Sequence, residues 1–164
     1  MGRKYVPGLV MVLCLLFGAL AWAQTWEDIS LHRACSNCGM DRERFSSTRM
    51  VVEFNDGTVR AVCSLRCAAD QIARYSGKTL KSIKVADFNG RQLIDAEKAF
   101  WVMGGERPGV MTMTGKWAFE KKGDAEAFMK SNGGNLATFK EAMSATRQEV
   151  AAAKKMTGEK GKMK

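Results

Sequence analysis

Hydrophobic residues change their spacing several times along the chain, and each change marks an element. Arg49-Met-Val-Val-Glu-Phe54 alternates apolar and polar positions, and Thr58-Val-Arg-Ala-Val62 does so again after Asn55-Asp56-Gly57. Two such runs around an Asp-Gly turn predict a β-hairpin. Past Ser64 the period lengthens to that of a helix, with Leu65, Ala68, Ala69, Ile72 and Ala73 on one stripe and Gly77 closing it. Lys81–Val85 reads as a further strand. The order then repeats weakly: strands at Ala99–Val102 and Trp117–Phe119, a short helix over Asp124–Ser131 with Ala125, Phe128 and Met129 inward, and a stop at Asn132-Gly133-Gly134. Asn135–Phe139 fits a strand or the start of a helix, and an amphipathic helix follows. This pattern predicts an α+β fold of two small related halves, about 32–88 and 97–139, each a hairpin, helix and strand, plus a C-terminal helix over 140–153.

The N-terminus has a different pattern. Arg3 and Lys4 precede an apolar run from Val6 to Ala23, which ends in the small-x-small sequence Ala21-Trp22-Ala23 before the polar Gln24-Thr25. This arrangement predicts a secretory signal peptide over 1–23, cleaved after Ala23, and a periplasmic mature domain over 24–153. The competing reading is an uncleaved anchor, since about twenty apolar residues can span a bilayer. A lipoprotein signal is disfavoured because Val12-Leu13 before Cys14 are too large for a lipobox. Membrane contact is therefore expected only transiently, through the signal peptide.

Composition narrows the chemistry. With 46% hydrophobic and 26% charged residues among 164, the chain is expected to fold, apart from a basic disordered tail at 154–164. The formal charge of +9 owes much to that tail. Basic tails can bind nucleic acid, but an exported protein rarely meets any, so none is expected as a partner. An acidic protein surface, anionic lipid or plain solvation are the remaining readings. His32 is the single histidine, against 5 cysteines and 11 methionines. That disfavours a His-rich zinc centre and excludes any Ser-His-Asp or Cys-His mechanism not using His32. Asp56, Asp87 and Asp95 look like turn residues and offer no acid/base pair.

Four cysteines survive the expected cleavage, as two pairs. Cys35-Ser-Asn-Cys38 precedes the hairpin, and Cys63-Ser-Leu-Arg-Cys67 joins its second strand to the helix. A spacing of four presents two thiols on one helical face. The hairpin brings the first pair back towards that turn, a treble-clef-like arrangement. Three outcomes compete: a structural four-cysteine zinc site, two disulfides, the default in an oxidising compartment, or handling of a soft metal. Gly39-Met40 directly after Cys38 favours the third. A tight turn at the glycine lets the Met40 thioether face the same ion, and thioethers favour Cu(I) over zinc. Met111 and Met113 alternate as strand neighbours would, projecting from one side as ligands or as core filler. His32, three residues before Cys35, either completes a Cys/Met/His site or is an ordinary exposed histidine.

Taken together, Cys35-Ser-Asn-Cys38-Gly39-Met40, the Asp56-Gly57 hairpin, the Cys63-x3-Cys67 helix start, the Met111/Met113 segment, Ala118-Phe119 and Gly133-Gly134 resemble the NosL family. Its members are exported copper chaperones associated with nitrous-oxide reductase. The resemblance runs from about His32 to Phe139. It implies a fold like NosL and organomercurial lyase, and one bound Cu(I) passed from an upstream donor to apo nitrous-oxide reductase or another cuproenzyme. It also implies Cys38 and Met40 as foremost ligands, with Cys35 next. Two features depart from the family: many members are lipoproteins, and the pair Cys63/Cys67 is not found in every member.

A chaperone works by exchange, not catalysis, so no enzymatic activity is expected. A low-coordinate Cu(I) lets an acceptor's ligands join before the donor's leave, whereas a closed four-thiolate cage suits structure better. Capture requires thiolates and should weaken at low pH. The rivals are a zinc-stabilised periplasmic interaction module and a thiol–disulfide oxidoreductase. The second is disfavoured because the CxxC does not follow a strand in a βαβ unit and Ser36-Asn37 offers no cation to activate a thiol.

Overall fold

A computed structural model describes residues 26–162. The expected signal peptide and its cleavage point lie outside the described residues. The chain runs α1 (Glu27–Leu31), β1 (Met50–Phe54), β2 (Val59–Val62), α2 (Leu65–Arg74), β3 (Leu80–Ala86), β4 (Leu93–Asp95), β5 (Phe100–Met103), β6 (Lys116–Phe119), α3 (Lys122–Asn132), β7 (Asn135–Ala137) and α4 (Phe139–Lys162). It is an α+β fold with two small antiparallel sheets, ordered β2-β1-β3-β4 and β6-β5-β7. In both, the first strand of the hairpin is central, and the strand after the helix pairs on its other side. The repeat inferred from element order is thus a repeat of topology. β4 extends only the first sheet, and its three residues are too few to leave a periodic trace.

The alternation on β1 is used as the sequence implies: Met50, Val52 and Phe54 are buried, and Val51 and Glu53 less so. Asp56 Oδ1 accepts the Thr58 N–H at 3.0 Å, which closes the hairpin turn. The main core gathers β1, β2, β3 and the apolar face of α2, together with three of the cysteines. A second cluster holds Val102, Trp117, Phe119, Ala125 and Phe128. Successive β5 residues Trp101 and Val102 belong to different cores, as do Ala118 and its neighbours on β6. Alternation on a strand sends neighbours to opposite faces, so the second sheet separates the two cores. Helix α4 lies on the main-core side, with Ala142 and Met143 buried there. It packs against α2 and β5. Lys116 on β6 ties α4 to the sheet through Glu149 at 2.8 Å.

One boundary differs from expectation. Helix α4 continues to Lys162, through most of the stretch expected to be a disordered tail. Ala151-Ala-Ala-Lys-Lys-Met156 are mostly strong helix formers, so a helix already anchored on the core propagates through them.

Candidate metal centre

The first cysteine pair lies on a turn between α1 and β1. The Cys35 N–H donates to the Met40 carbonyl at 2.8 Å, and the Gly39 N–H to the Cys35 carbonyl at 2.9 Å. Gly39 sits at φ +77°, a conformation costing about 1–2 kcal/mol for a side-chain-bearing residue. The Ser36 N–H hooks this turn onto β2 through the Ala61 carbonyl at 2.8 Å. Cys63 follows β2 directly, and Ser64 caps α2 by accepting the Cys67 N–H at 3.5 Å. Cys63 therefore precedes the helix, and only Cys67 is in its first turn. Ser64→Ala should cost about 1 kcal/mol, read as a small fall in thermal midpoint.

All four sulfurs lie within 4.8 Å of one another. Cys38, Cys63 and Cys67 form a nearly equilateral triangle with edges of 3.6, 3.7 and 3.7 Å. Such distances exceed the ~2.05 Å of a disulfide, and the four are free thiols. They match the edge of about 3.8 Å expected between thiolates tetrahedrally arranged ~2.3 Å from one ion. The thiols thus suit a thiophilic metal. Burial is one-sided: Cys35, Cys63 and Cys67 are buried, and Cys38 is exposed.

The sulfurs divide their protons unequally. Hydrogen bonds from the Cys63 and Cys67 thiols pull Cys35 far below the usual thiol range, against burial, and the Cys38 and Asn37 backbones help. The Cys63 N–H also points at Cys35 Sγ, at 3.4 Å. Bonding to Cys35, then to Cys67, and burial push Cys63 up. Cys67 rises to about 12, chiefly through Cys35, with burial adding and Cys63 and Asn37 opposing. Among these three buried sulfurs the arrangement thus favours the thiolate at Cys35 and the thiol at Cys63 and Cys67.

Beneath the turn lies a buried ion-pair group. Arg42 and Arg49 are both fully buried, and the Asp28 carboxylate joins them at 2.7 and 2.9 Å. Arg42 also donates to the carbonyls of His32, Asp28 and Val62, the last directly before Cys63. It therefore braces both cysteine segments at once. Burial raises the Asp28 pKa, but the hydrogen bonds and charge of Arg49, then of Arg42, outweigh it and hold the carboxyl below its usual range.

The chain matches the NosL family over residues 27–146. The NosL family is where it belongs. Among solved structures it is similar to the copper chaperone NosL from Shewanella denitrificans, at 26% identity and a TM-score of 0.56, covering 72% of this chain and 94% of that one. A search of curated proteins found no match.

On this NosL framework the remaining sequence candidates fall in different places. His32 is exposed, outside the thiol group, and caps α1 with its backbone. Met40 is 36% exposed and abuts the Cys35–Cys38 turn through its carbonyl. Met111 and Met113 do not lie on a strand as expected. Residues 104–115 form an irregular loop, because Gly104 and Gly105 take positive φ and Pro108 withholds an N–H, both incompatible with a regular ladder. Met111, itself at φ +61°, packs against the main core and accepts from Arg66 at 3.0 Å through its carbonyl. Met113 is 94% exposed, and both line a surface groove with Arg66, Glu149 and Val150. Sequence reasoning missed Asp28, Arg42 and Arg49. No local pattern marks them, since arginine is a surface residue unless a partner pays for its burial, and here the partner is 14 and 21 residues away.

Proposed function

We propose that this NosL-family protein is an exported metallochaperone that carries Cu(I) as cargo, taking it from an upstream donor in the periplasm and giving it to apo nitrous-oxide reductase or another cuproenzyme. One observation carries the reading: four free thiols gather within 4.8 Å, and Cys38 alone among them is exposed. Thiolates are soft ligands that suit Cu(I). The exposed edge gives an acceptor's sulfur or nitrogen a place to attack while three buried sulfurs still hold the ion. Cys38 is then the ligand that lets go first, and Met40 beside it supplies a weaker thioether during the exchange. The copper chaperone named for the Shewanella relative supports the same cargo.

Titration of the reduced protein against a chromogenic Cu(I) chelator tests this. One Cu(I) per chain is expected, held in preference to zinc, with Cys38→Ser and Met40→Leu each weakening retention. Equal retention in both variants would remove the proposed exchange edge.

A second reading rests on the sulfur spacing itself. Four thiols at tetrahedral separation also suit structural zinc, which would make the protein a zinc-stabilised interaction module. Metal analysis after aerobic, copper-free purification separates the two. Stoichiometric zinc, lost only on unfolding, selects the module.

A further inference from the structure

Between the two cysteine pairs lies a side-chain link that neither pair requires. Asn37, inside the Cys35–Cys38 turn, accepts from Gln71 Nε2 through Oδ1 at 2.8 Å. Its own amide nitrogen donates to Asp70 Oδ2 at 3.3 Å. Gln71 stands one helical turn beyond Cys67 and is 1% exposed. The link therefore runs from the middle of one cysteine pair to the helix that carries the other.

Gln71 is an unusual choice for that position. Its Oε1 is buried without a hydrogen-bond partner. A buried carbonyl oxygen left unpaired costs stability, and an apolar side chain of similar shape would avoid the cost. Ala68 and Ala69 beside it on the same helix are buried and apolar, as such a position ordinarily requires. The amide at 71 is thus explained by its donor half alone, and that donor goes to Asn37. It also settles which way the Asn37 amide faces, because the carbonyl must meet Gln71 and the nitrogen must meet Asp70.

We propose that Asn37 and Gln71 are positioning residues that clamp the exposed Cys35–Cys38 turn onto α2, setting the separation of the two thiol pairs and hence the grip on a soft thiophilic ion. The proposal rests on the four-thiol site being the metal site. The backbone tie from Ser36 to Ala61 fixes the start of the turn. The Asn37 side chain fixes its middle, next to the exposed Cys38, where solvent would otherwise leave the sulfur free to move. Outer partners that hold metal ligands in place typically contribute tenfold to a hundredfold in affinity.

The test compares Asn37→Ala, Gln71→Met and the double variant with the unaltered chain. Three readouts are taken: Cu(I) affinity by chelator competition, the thiolate-to-metal charge-transfer band after Co(II) loading, and the thermal midpoint of the metal-free protein. The clamp predicts a loss of roughly tenfold or more in Cu(I) affinity for each single variant and a shifted or broadened Co(II) band. It also predicts a metal-free midpoint for Gln71→Met no lower than that of the unaltered chain. Because Asn37→Ala already removes the bond to Gln71, the double variant should lose no more than the worse single one. Variants that melt earlier yet bind Cu(I) as tightly, with an unchanged Co(II) band, would make the link merely structural and overturn the clamp. Should Gln71→Met fail to fold, Asn37→Ala on the surface turn carries the same comparison. An unaltered chain that takes up neither metal would overturn the site reading, and the clamp with it. Uptake by the unaltered chain, matched by the variants, overturns the clamp alone.

Discussion

Serine in place of Cys63 is expected to weaken metal retention by roughly two to three orders of magnitude. Cys63 is central to the sulfur group, 3.6 Å from Cys38 and 3.7 Å from Cys67, with its N–H aimed at Cys35 Sγ. A structural zinc site contributes about 10–16 kcal/mol in zinc-finger peptides, so one ligand of four corresponds to roughly a quarter, or about 2.5–4 kcal/mol. Serine keeps the backbone donor and nearly the same volume but supplies a hard, protonated oxygen. Chelator competition should therefore show the loss while the metal-free fold persists, as judged by an unchanged far-ultraviolet spectrum. Retention within threefold of the unaltered chain would mean that Cys63 lies outside the coordination sphere. Cys38→Ser should be milder, since an exposed ligand is the one that acceptor or solvent already replaces during exchange.

Replacing Asp28 by asparagine is the substitution expected to cost most in stability. The carboxylate holds two fully buried guanidiniums. Removing one member of a buried pair typically costs 3–5 kcal/mol, because the remaining charge stays buried and unpaired. Here two charges are left. The Trp26 ring over Arg49, at 5.1 Å, softens the loss only partly. In urea the midpoint should fall by about 2 M at neutral pH, given a slope of 1–3 kcal/mol/M. The effect is also pH-dependent in a defined sense. The Asp28 pKa is lowered in the folded protein, so its stabilisation is fully present above the unfolded value of about 3.9 and is lost as pH falls through the folded one. The gap between the two proteins should therefore be constant from pH 5 upward and close below about pH 4. A gap of under 1 kcal/mol at pH 7 would show that water or neighbouring carbonyls satisfy the arginines without the carboxylate. Because Arg42 also braces the carbonyls of His32 and Val62, Asp28→Asn should loosen the thiol group as well, visible as weaker metal retention.

Much of this architecture could be read in one dimension because its causes are local. Alternation on Met50–Phe54, the Asp56-Gly57 turn and the Ser64 cap each act within a few residues. The two cysteine pairs were legible for the same reason: a turn and a helix start place two sulfurs together by short-range geometry. Where local cues were overridden, backbone chemistry did it. Met111 and Met113 have the spacing of a strand, but Gly104, Gly105 and Pro108 deny the segment a ladder. The tail beyond 153 has the composition of solvated charge, yet its lysines also propagate a helix already seeded on the core.

The sequence by itself determined the α+β class, the repeated order of elements, the pairing of the four cysteines around a hairpin, and the resemblance to the NosL family. Each depends on period, turn chemistry or spacing over at most a few dozen residues. Tertiary structure alone decided that Cys38 is exposed while its three companions are buried. It alone also brought Asp28 between Arg42 and Arg49, tied Asn37 to Gln71, and left His32 outside the thiol group. Those outcomes depend on which faces of distant elements meet, and burial and charge pairing arise only when the chain has closed on itself.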